Sequence, residues 1–570
     1  MYWLNENSKA FLSKGYLLDG VTAEERIHQI AKHAEKLLGK DGFAEKFYDY
    51  MSRGYYSLAS PIWSNFGLSK GLPISCFSSY VGDDMGQILF TQAEVGMMTK
   101  FGGGTSGYFG DVRHRGTKIK DNGISSGSVH FMRLFETLVN VVSQGSVRRG
   151  HFSPYLPIDH GDIKEFLEIG TEGNPIQELT YGVTVTNAWL EEMVEGDQEK
   201  RDIWAKVLAR RKQIGYPYIF FTDTVNNNTV DVYKDKNLKI HASNLCSEIL
   251  LPSNNEWSFV CDLSSLNLLH YNEWKDTDAV ETLVYFLDAV MSDFINHLEF
   301  LRDSEDAYKK QVFHFMERAY KFACSNRALG VGVLGWHSYL QSNDIPFESD
   351  KAKTINIEIF NTIKERAYTA SEKMAKEYGE PDTLNGYGRR NTTLMALAPT
   401  TSSAFILGQV SQSIEPVWSN CYVKDIDKMK VTIKNPFLEK LLEKKGKNDR
   451  ETWQSIRDND GSVQYLDFLS ETEKAVFKTF AEIDPYVVID QASDRQKYID
   501  QGQSLNLMID PTISTKEVNA LYLHAWKSGI KTLYYQHSMN AAQQFGRKKL
   551  QENKKNNVVE DPNICISCQA

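Results

Sequence analysis

The 570-residue sequence lacks the features of a membrane-spanning or secreted protein. It has no run of about 18 apolar residues, the length that a membrane-spanning helix requires. Its first 20 residues lack the charged-then-apolar layout of a secretory signal. Its seven cysteines are too few, and odd in number, for a secreted disulfide scaffold. We therefore predict a cytoplasmic protein with no membrane partner, whose thiols fill the core, bind a metal or carry out redox chemistry.

An excess of basic residues is also missing. Lys and Arg number 64 against 74 Asp and Glu, which gives a net charge of -10. This balance argues against a dedicated nucleic-acid-binding protein. It remains compatible with a local basic pocket for one phosphorylated ligand.

The N-terminal region lacks a glycine-rich phosphate loop and a βαβ pattern. A dinucleotide-like glycine fingerprint occurs at 330–335, with Glu348 downstream. In dinucleotide-binding proteins such glycines follow a strand and open a helix. The preceding residues, 315–329, have helical spacing instead, and we therefore reject a nicotinamide dehydrogenase.

The patterns that are present predict an α/β protein with a helical N-terminal part. Thr22 and Glu25 form a capping box that opens an amphipathic helix through Leu38. Further along, strand-like runs at 180–186, 216–222 and 258–263 are separated by helical stretches. Strands that alternate with helices favour parallel pairing in an α/β architecture.

The stretch 244–248 places an amide, a thiol and a carboxylate at alternate positions. If the stretch is an extended strand, Asn244, Cys246 and Glu248 share one face. Such a face suits chemistry. A buried structural cysteine explains the pattern equally well, because unpaired cysteines are among the most buried residues.

A hydroxyl cluster follows the strand-like run 394–399. Four hydroxyl residues in a row, Thr400 to Ser403, enter a probable helix start. Exposed backbone N–H groups, hydroxyl donors and the helix dipole together form an anion site. Simple N-capping needs only one of these residues, so we favour a phosphate. Glycine-rich loops with cations at 110–116 and 143–150 also suit an anionic ligand, although each taken singly reads as a solvated surface loop.

The C-terminal region contains two further signals. Tyr534 and Tyr535 are adjacent in a strand-like run, so a regular strand would point them in opposite directions. The chain then loses its apolar content from about 543, yet ends with Cys565 and Cys568. A second ligand pair for zinc is missing from the tail, so this tethered dithiol is better interpreted as a redox shuttle.

Taken together, these motifs resemble the large, catalytic subunit of class I ribonucleotide reductase, from about Leu12 to the C-terminus. The matching segments, in the family's order, are Ser75-Cys76 with Gly82-Asp83, 143–148, 244–248, Cys261 with the following 263–267, 399–403, 533–536 and the terminal cysteine pair. The resemblance implies a ten-stranded α/β barrel with a central finger loop, preceded by a helical N-terminal domain. The implied division is a helical domain at 1–70, a barrel at 71–540 and a flexible redox tail at 541–570.

The resemblance implies a role for each thiol. Cys246 resembles the residue that becomes a thiyl radical and takes the 3′ hydrogen of the ribose. Glu248 resembles the base at the 3′-OH, and Asn244 its hydrogen-bonding partner. Cys76 and Cys261 correspond to the dithiol that becomes a disulfide as the 2′ position is reduced. The tail thiols would then reduce this disulfide, and thioredoxin or glutaredoxin would reduce the tail.

The resemblance also implies the partners and ligands of this chain. Tyr534 and Tyr535 resemble the pair that passes a radical from a separate small subunit with a dimetal site, so no metal site or bound cofactor is expected here. The ribonucleoside diphosphate substrate would be held by residues of the hydroxyl loop and its surroundings, namely Ser60, Ser75, Asn244, Pro399, Thr400, Thr401, Ser402 and Ser403. A dNTP or ATP effector would bind at a specificity site in a homodimer interface, through Asp83, Arg113, Gln144 and Arg148.

Two alternatives to this hypothesis remain. A cobalamin-dependent reductase of class II makes its radical in the same chain and lacks the tyrosine relay, so activity without a second subunit would indicate it. An idle regulatory paralogue would have lost a central cysteine, and Cys76, Cys246 and Cys261 are all present. Many class I large subunits begin with an ATP cone that switches overall activity. This sequence starts almost directly in the helical domain, so we expect no such site in this subunit.

Overall fold

The computed structural model describes residues 1–144, 149–426 and 429–538. The predictions for Arg148, Cys565, Cys568 and the tail at 541–570 lie outside these residues. No helix among the residues described is both long and apolar enough to cross a membrane.

The strands carry the site, and the helices surround them. The strands are β1 (Tyr56–Leu58), β2 (Cys76–Tyr80), β3 (Gly104–Tyr108), β4 (His151–Pro157), β5 (Gly182–Val185), β6 (Tyr218–Phe221), β7 (Phe259–Asn267), β8 (Leu329–Leu334), β9 (Cys421–Ile426), β10 (Met429–Lys434), β11 (Leu507–Met508), β12 (Thr532–Leu533) and β13 (Gln536–His537).

The α-helices are α1 (Glu6–Leu12), α2 (Ala23–Leu38), α3 (Phe43–Ser52), α4 (Ser60–Asn65), α5 (Met85–Lys100), α6 (Ser128–Val141), α7 (Ile163–Phe166), α8 (Asn187–Glu195), α9 (Gln198–Ile214), α10 (Thr222–Asn227), α11 (Asp231–Asp235), α12 (Tyr271–Trp274), α13 (Ala279–Arg302), α14 (Ala307–Asn326), α15 (Trp336–Ser342), α16 (Asp350–Tyr378), α17 (Thr401–Ile406), α18 (Pro436–Lys444), α19 (Arg450–Asp458), α20 (Glu471–Val476), α21 (Pro485–Gln496) and α22 (Thr515–Lys527).

The predicted capping box opens α2. The Thr22 hydroxyl accepts a hydrogen bond from the Glu25 backbone N–H, and the Glu25 carboxylate accepts one from the Thr22 N–H. The helix ends at Gly39, whose φ of 62° suits a glycine. Its apolar stripe packs against α3 and α13, so the N-terminal helices lie on the same core as the barrel.

The sheet closes into a barrel of two parallel halves. Strands β2 to β6 pair in parallel in sequence order. In the second half, β7 pairs in parallel with β8. Val331 of β8 forms a parallel bridge with Met395, and Leu397 forms one with Gln503. Further along the segment of Gln503, β11 pairs in parallel with β13. The halves meet antiparallel at two seams, β2 with β7 and β6 with β12. The predicted barrel of ten strand positions in two antiparallel halves is therefore confirmed.

Two stretches with strand-like patterns are not single regular strands. Residues 244–248 form a turn, because Ser247 adopts a left-handed φ of 70° and Asn244 bonds across the loop to Ile249. The run 531–536 is a strand that changes partners, from β6 at β12 to β11 at β13. Tyr534 and Tyr535 lie at this change, between the end of β12 and the start of β13.

The glycine fingerprint lies in a different context from a dinucleotide site. Gly330 and Gly332 are inside β8, and helix α14 leads into that strand. The predicted helix before the fingerprint is correct in type but ends at Asn326, because Arg327 adopts a left-handed φ of 43°. Rejection of the dehydrogenase is therefore supported.

The segment that contains α18 and α19 has a core of its own. Buried residues of α18 and α19, with neighbours in the segments that follow, form a cluster separate from the main core: Leu438, Leu442, Trp453, Ile456 and Phe477 are among them. The segment thus adds to the barrel without contributing to its interior.

A buried ionic cluster fixes the helices behind the second half of the barrel. Asp288 of α13 accepts hydrogen bonds from Arg327 at 2.8 and 2.9 Å and from Arg390 at 3.3 Å. Asn391 adds a bond of 3.0 Å. Burial by itself would raise the pKa of Asp288, but the two guanidinium groups outweigh it and hold the pKa below its ordinary value.

Replacing Asp288 with Asn should destabilise the fold by about 3–5 kcal/mol, because two buried guanidinium groups lose their counter-charge. The measurement is the midpoint of urea denaturation. Asp303→Asn is the matched control, since Asp303 pairs with Arg302 in a solvent-exposed bridge. Equal midpoints for the two variants would contradict the importance of the cluster.

Candidate active site

Two thiols face each other across the antiparallel seam. Cys76 of β2 is the direct partner of Cys261 of β7. Opposite residues of an antiparallel pair have Cα atoms about 4.5–5.5 Å apart and side chains on the same face. A disulfide requires Cα atoms within about 7 Å, so this pair can form one. Neither thiol is in a disulfide in this structure.

The loop 244–249, called the finger loop below, is closed by its own first residue. The Asn244 backbone N–H donates to the Ile249 carbonyl at 3.2 Å, and the Asn244 side-chain oxygen accepts from the Ile249 N–H at 3.0 Å. Gly104 makes room for the loop, because a Cβ there would lie 3.2 Å from Leu245. Gly104 is also the register partner of Cys76, which places the finger loop beside the dithiol.

Both halves of the barrel hold the finger loop. Tyr155 of β4 shares a hydrogen bond of 2.5 Å with the neighbouring Ser243. From the other half, the Ser504 hydroxyl donates to the Cys246 carbonyl at 2.5 Å, and the Thr532 hydroxyl donates to the Ser247 carbonyl at 2.8 Å. These bonds provide partners for backbone carbonyls that would otherwise be buried inside the barrel without a hydrogen bond.

The Glu248 carboxyl is almost fully buried, at 1% exposure. Burial raises its pKa to about 7, although hydrogen bonds from Asn244 and Ser504 partly oppose the shift. Glu248 and Cys76 in turn lie near enough to Cys261 to raise the pKa of its thiol, which burial already raises strongly. A pKa of about 7 means that the Glu248 carboxyl can gain or lose its proton near neutral pH.

Two tyrosine rings connect the finger loop to the rim. Tyr534 is buried, and its hydrogen bond with Cys246 adds to the effect of burial in raising its pKa. The Tyr534 and Tyr535 ring centroids are 4.4 Å apart. Tyr535 continues to His537 at 5.7 Å, which contacts the partly exposed Trp418 at 4.6 Å. The rings form an unbroken aromatic path from the thiol outward.

The hydroxyl loop is more than a helix cap. Thr400 stands at the N-cap of α17 with a φ of 56°, but its side chain does not cap the helix. Its hydroxyl accepts instead from the Ser413 N–H at 2.8 Å, which holds the loop 409–413 against it. The side chains of Ser402 and Ser403 are partly exposed, Thr401 is exposed, and Pro399 precedes them in the same loop.

The other predicted substrate residues lie on neighbouring elements. Ser60 begins α4, and Ser75 immediately precedes Cys76. The Ser57 hydroxyl donates to the Ser403 carbonyl at 2.9 Å, which joins the strand leading to α4 with the hydroxyl loop. The structure thus brings the N-termini of α4 and α17 to one side of the barrel.

Three of the predicted effector residues, Asp83, Arg113 and Gln144, have hydrogen-bond partners in the structure. Arg113 forms an ion pair of 2.8 Å with Asp83, and its backbone N–H donates to the same carboxylate at 3.0 Å. Gln144 donates to Asn65 at 3.3 Å. Asp83 and Arg113 are therefore direct neighbours, and Gln144 is bonded to a different partner.

Several residues of the site carried no sequence signal. Tyr218 of β6 lies 4.9 Å from Tyr534 and 5.2 Å from Tyr535, measured between ring centroids. Gln501 donates to the Cys261 sulfur at 3.5 Å, and Ser504 touches both Cys246 and Glu248. These contacts join residues more than 200 positions apart, which local patterns cannot show.

Family comparisons agree with this geometry. The ribonucleotide reductase barrel-domain model matches residues 74–200, 195–386 and 381–536, and the all-alpha-domain model matches 2–71. A solved class Id ribonucleotide reductase alpha subunit from Actinobacillus ureae is similar, with a TM-score of 0.88 and 56% identity over 95% of this chain and 98% of that chain.

Two viral proteins are similar along nearly their whole length. The putative ribonucleoside-diphosphate reductase large subunit of Frog virus 3 is 36% identical over 550 residues, which cover 93% of each chain. The large subunit of Invertebrate iridescent virus 3 is 31% identical over 595 residues, or 91% of each. This chain belongs to the class I ribonucleotide reductase large subunits.

Membership confirms the family suggested by the motifs. The class I large subunit works with a separate small subunit that supplies the radical, and with redox proteins. The two family models span residues 2–536 with an all-alpha and a barrel domain, and neither is an ATP cone. The comparisons give no support to a class II reductase.

The buried Glu248 carboxyl of this reductase should lose its proton with a midpoint at about pH 7, because burial disfavours the charged form. Infrared difference spectra between the wild type and Glu248→Gln isolate its protonated carboxyl band. Glu25→Gln serves as the control, since Glu25 is exposed and its pKa is lowered by its capping-box bonds. A Glu248 midpoint near the ordinary value of 4.5 would contradict the assigned environment.

Proposed function

We propose that this subunit reduces ribonucleoside diphosphates with Cys246 as the radical-bearing thiol. The observation that carries the proposal is the position of Cys246, which is hydrogen-bonded to Tyr534 on one side and lies on a loop packed beside the Cys76–Cys261 pair on the other. A thiol between an aromatic path and a dithiol suits one-electron chemistry better than nucleophilic attack.

The radical enters through Tyr535 and Tyr534 from a small subunit with a dimetal site. Each transfer moves one electron and one proton, so that Cys246 becomes a thiyl radical as Tyr534 regains its O–H. The ring contact of 4.4 Å and the hydrogen bond to Cys246 support this order.

The thiyl radical takes the 3′ hydrogen of the ribose, with Glu248 accepting the 3′-OH proton and Asn244 holding the carboxylate. The 2′-OH leaves as water with a proton from the dithiol. Cys76 and Cys261 supply two electrons and become a disulfide, after which Cys246 returns the hydrogen to C3′. The buried Glu248 with a pKa of about 7 suits a group that both accepts and returns a proton.

The substrate diphosphate binds at the hydroxyl loop. Thr401, Ser402 and Ser403 offer hydroxyls at a helix start whose cap position makes no side-chain bond to it. Pro399 and Thr400 shape this loop, while Ser60 and Ser75 approach from the neighbouring elements. Asn244 lies at the sugar end of the same substrate site.

A dNTP or ATP effector binds at the Asp83–Arg113 pair in a homodimer interface. Arg113 suits a phosphate, and its present partner Asp83 suits a ribose or base donor once the pair separates. Gln144 and Arg148 belong to the loop that passes the identity of the effector to the substrate site.

The remaining assignments follow the same family pattern. The chain divides at 1–70, 71–540 and 541–570, and the last segment carries Cys565 and Cys568 as a shuttle between the barrel disulfide and thioredoxin or glutaredoxin. The protein acts in the cytoplasm.

Cys246→Ser should abolish deoxynucleotide formation and leave dNTP binding intact, because serine cannot form the equivalent radical at this site. The assay is nucleoside diphosphate reduction with and without the cognate small subunit, across dNTP effectors. Cys324→Ser is the control, since Cys324 lies in α14 outside the barrel. Appreciable residual reduction by Cys246→Ser would contradict the assignment, and wild-type activity without the small subunit would contradict its class I partner.

Replacing both Cys565 and Cys568 with Ser should spare turnover driven by a small dithiol and remove turnover driven by thioredoxin. A small dithiol reaches the barrel disulfide directly, whereas thioredoxin needs the tethered shuttle. Steady-state rates with each reductant test this. Equal rates for the variant with both reductants would show that the tail is not the shuttle.

A further inference from the structure

The two thiols of the barrel pair have unequal surroundings. Cys76 is the first residue of β2 and is partly exposed. Cys261 lies inside β7, with an exposure of 1%. An incoming thiolate can therefore approach the sulfur of Cys76 more readily than that of Cys261.

Gln501 supplies a hydrogen-bond donor on the buried side. Its side-chain amide donates to the Cys261 sulfur at 3.5 Å, and also to the Leu329 carbonyl and the Thr393 hydroxyl, each at 3.0 Å. Its side-chain oxygen accepts from the Leu250 N–H at 3.0 Å, which fixes the amide so that its nitrogen points at the sulfur. A neutral thiol is a weak acceptor, so this donor gains most when Cys261 is a thiolate.

A buried lysine holds Gln501 in place. The Lys531 ammonium donates to the Asp500 carbonyl at 2.7 Å and to the Gln501 carbonyl at 3.0 Å. The next residue, Gly502, donates its N–H to the Glu248 carbonyl at 2.8 Å. The amide is therefore preorganised at Cys261 by bonds that do not involve the thiols.

We propose that Gln501 stabilises Cys261 as the leaving thiolate when the Cys76–Cys261 disulfide is reduced, so that exchange takes place at the sulfur of Cys76. This inference rests on the dithiol role given under the proposed function. It adds the direction of the exchange and a residue that determines it.

The exchange balances as two displacements. The first thiolate of a reducing dithiol attacks the Cys76 sulfur, the S–S bond breaks, and its electron pair leaves on Cys261 as a thiolate hydrogen-bonded to Gln501. The second thiol of the reductant then attacks the mixed disulfide, becomes a disulfide with the first, and releases Cys76 as a thiolate. The two protons of the dithiol end on Cys76 and Cys261, and two electrons pass from the reductant to the pair.

The reverse direction is disfavoured by the same contacts. Attack at Cys261 requires the nucleophile to reach a residue inside a strand. Cys76 would then leave as the thiolate, and the Gln501 amide would face an uncharged disulfide sulfur at Cys261. Burial raises the pKa of the Cys261 thiol, and the hydrogen bond from Gln501 opposes that rise, so the donor makes this sulfur a better leaving group than burial alone would allow.

The direction is tested on the full-length chain by its reaction with an aromatic disulfide reagent. Cys261→Ser and Cys76→Ser each leave one thiol of the pair, and peptide mass mapping separates its adduct from those of the other cysteines. We expect Cys76 to react at least tenfold faster than Cys261. A faster reaction at Cys261 would overturn the inference.

The role of Gln501 is tested on protein oxidised with diamide, without substrate or small subunit. The rate at which dithiothreitol reduces the Cys76–Cys261 disulfide should fall about tenfold or more in Gln501→Leu, because a hydrogen bond to a charged group is lost. Gln501→Glu should also be slow, since a carboxylate repels the leaving thiolate. Gln491→Leu is the control, because Gln491 is also buried but, among the residues that the structure describes, it bonds to Trp336, Phe347 and Asn356 and to neither thiol.

The outcomes distinguish a failure of the role of Gln501 from a failure of the dithiol role in the proposed function. Unchanged rates in both Gln501 variants, with effector binding intact, would contradict the role of Gln501 alone. Failure of Cys76 and Cys261 to form a disulfide at all would instead contradict the dithiol in the proposed function. The reagent test on the single-thiol variants keeps Gln501 intact, so it decides the direction even if the Gln501 variants fold poorly.

Discussion

The antiparallel pairing of β2 with β7 is the contact on which the site depends. It joins the two parallel halves of the barrel, and it sets Cys76 directly opposite Cys261 although 185 positions separate them in the chain. A slip of one residue would turn one of the two thiols to the other face of the sheet. The seam therefore fixes the closure of the fold and the geometry of the dithiol through the same hydrogen bonds.

The finger loop is the second constraint, because a loop inside a barrel must have its polar groups satisfied. The Asn244 side chain bonds across the loop to Ile249, and the hydroxyls of Ser504 and Thr532 donate hydrogen bonds to the carbonyls at the tip of the loop. These anchors come from the half of the barrel that also carries Tyr534 and Gln501. The aromatic path, these two anchors of the finger loop and the donor at Cys261 thus come from one half, whereas Cys76 and the anchor at Tyr155 come from the other.

Much of the site was predictable from the sequence as a set of residues, and much less as a geometry. The capping box of α2 and the helical approach to the glycines at 330–335 depend on neighbours in the chain, and both predictions held in type. The alternation of Asn244, Cys246 and Glu248 is the pattern of a strand, whereas the family resemblance implied a loop inside the barrel, and the structure has the loop. The left-handed Ser247 and the bond from Asn244 to Ile249 overrode the strand pattern. Gln501, Ser504 and Tyr218 were missed because only the closed barrel brings them to the thiols.

A single turnover without external reductant measures directly whether Cys76 and Cys261 supply the electrons for the reduction. The assay uses the holoenzyme with both tail cysteines replaced by serine, and it maps disulfides by peptide mass spectrometry after the reaction. We predict deoxynucleotide formation accompanied by an equal amount of the Cys76–Cys261 disulfide, with Cys246 recovered as a thiol. Product formed without that disulfide, or a disulfide that includes Cys246, would contradict it.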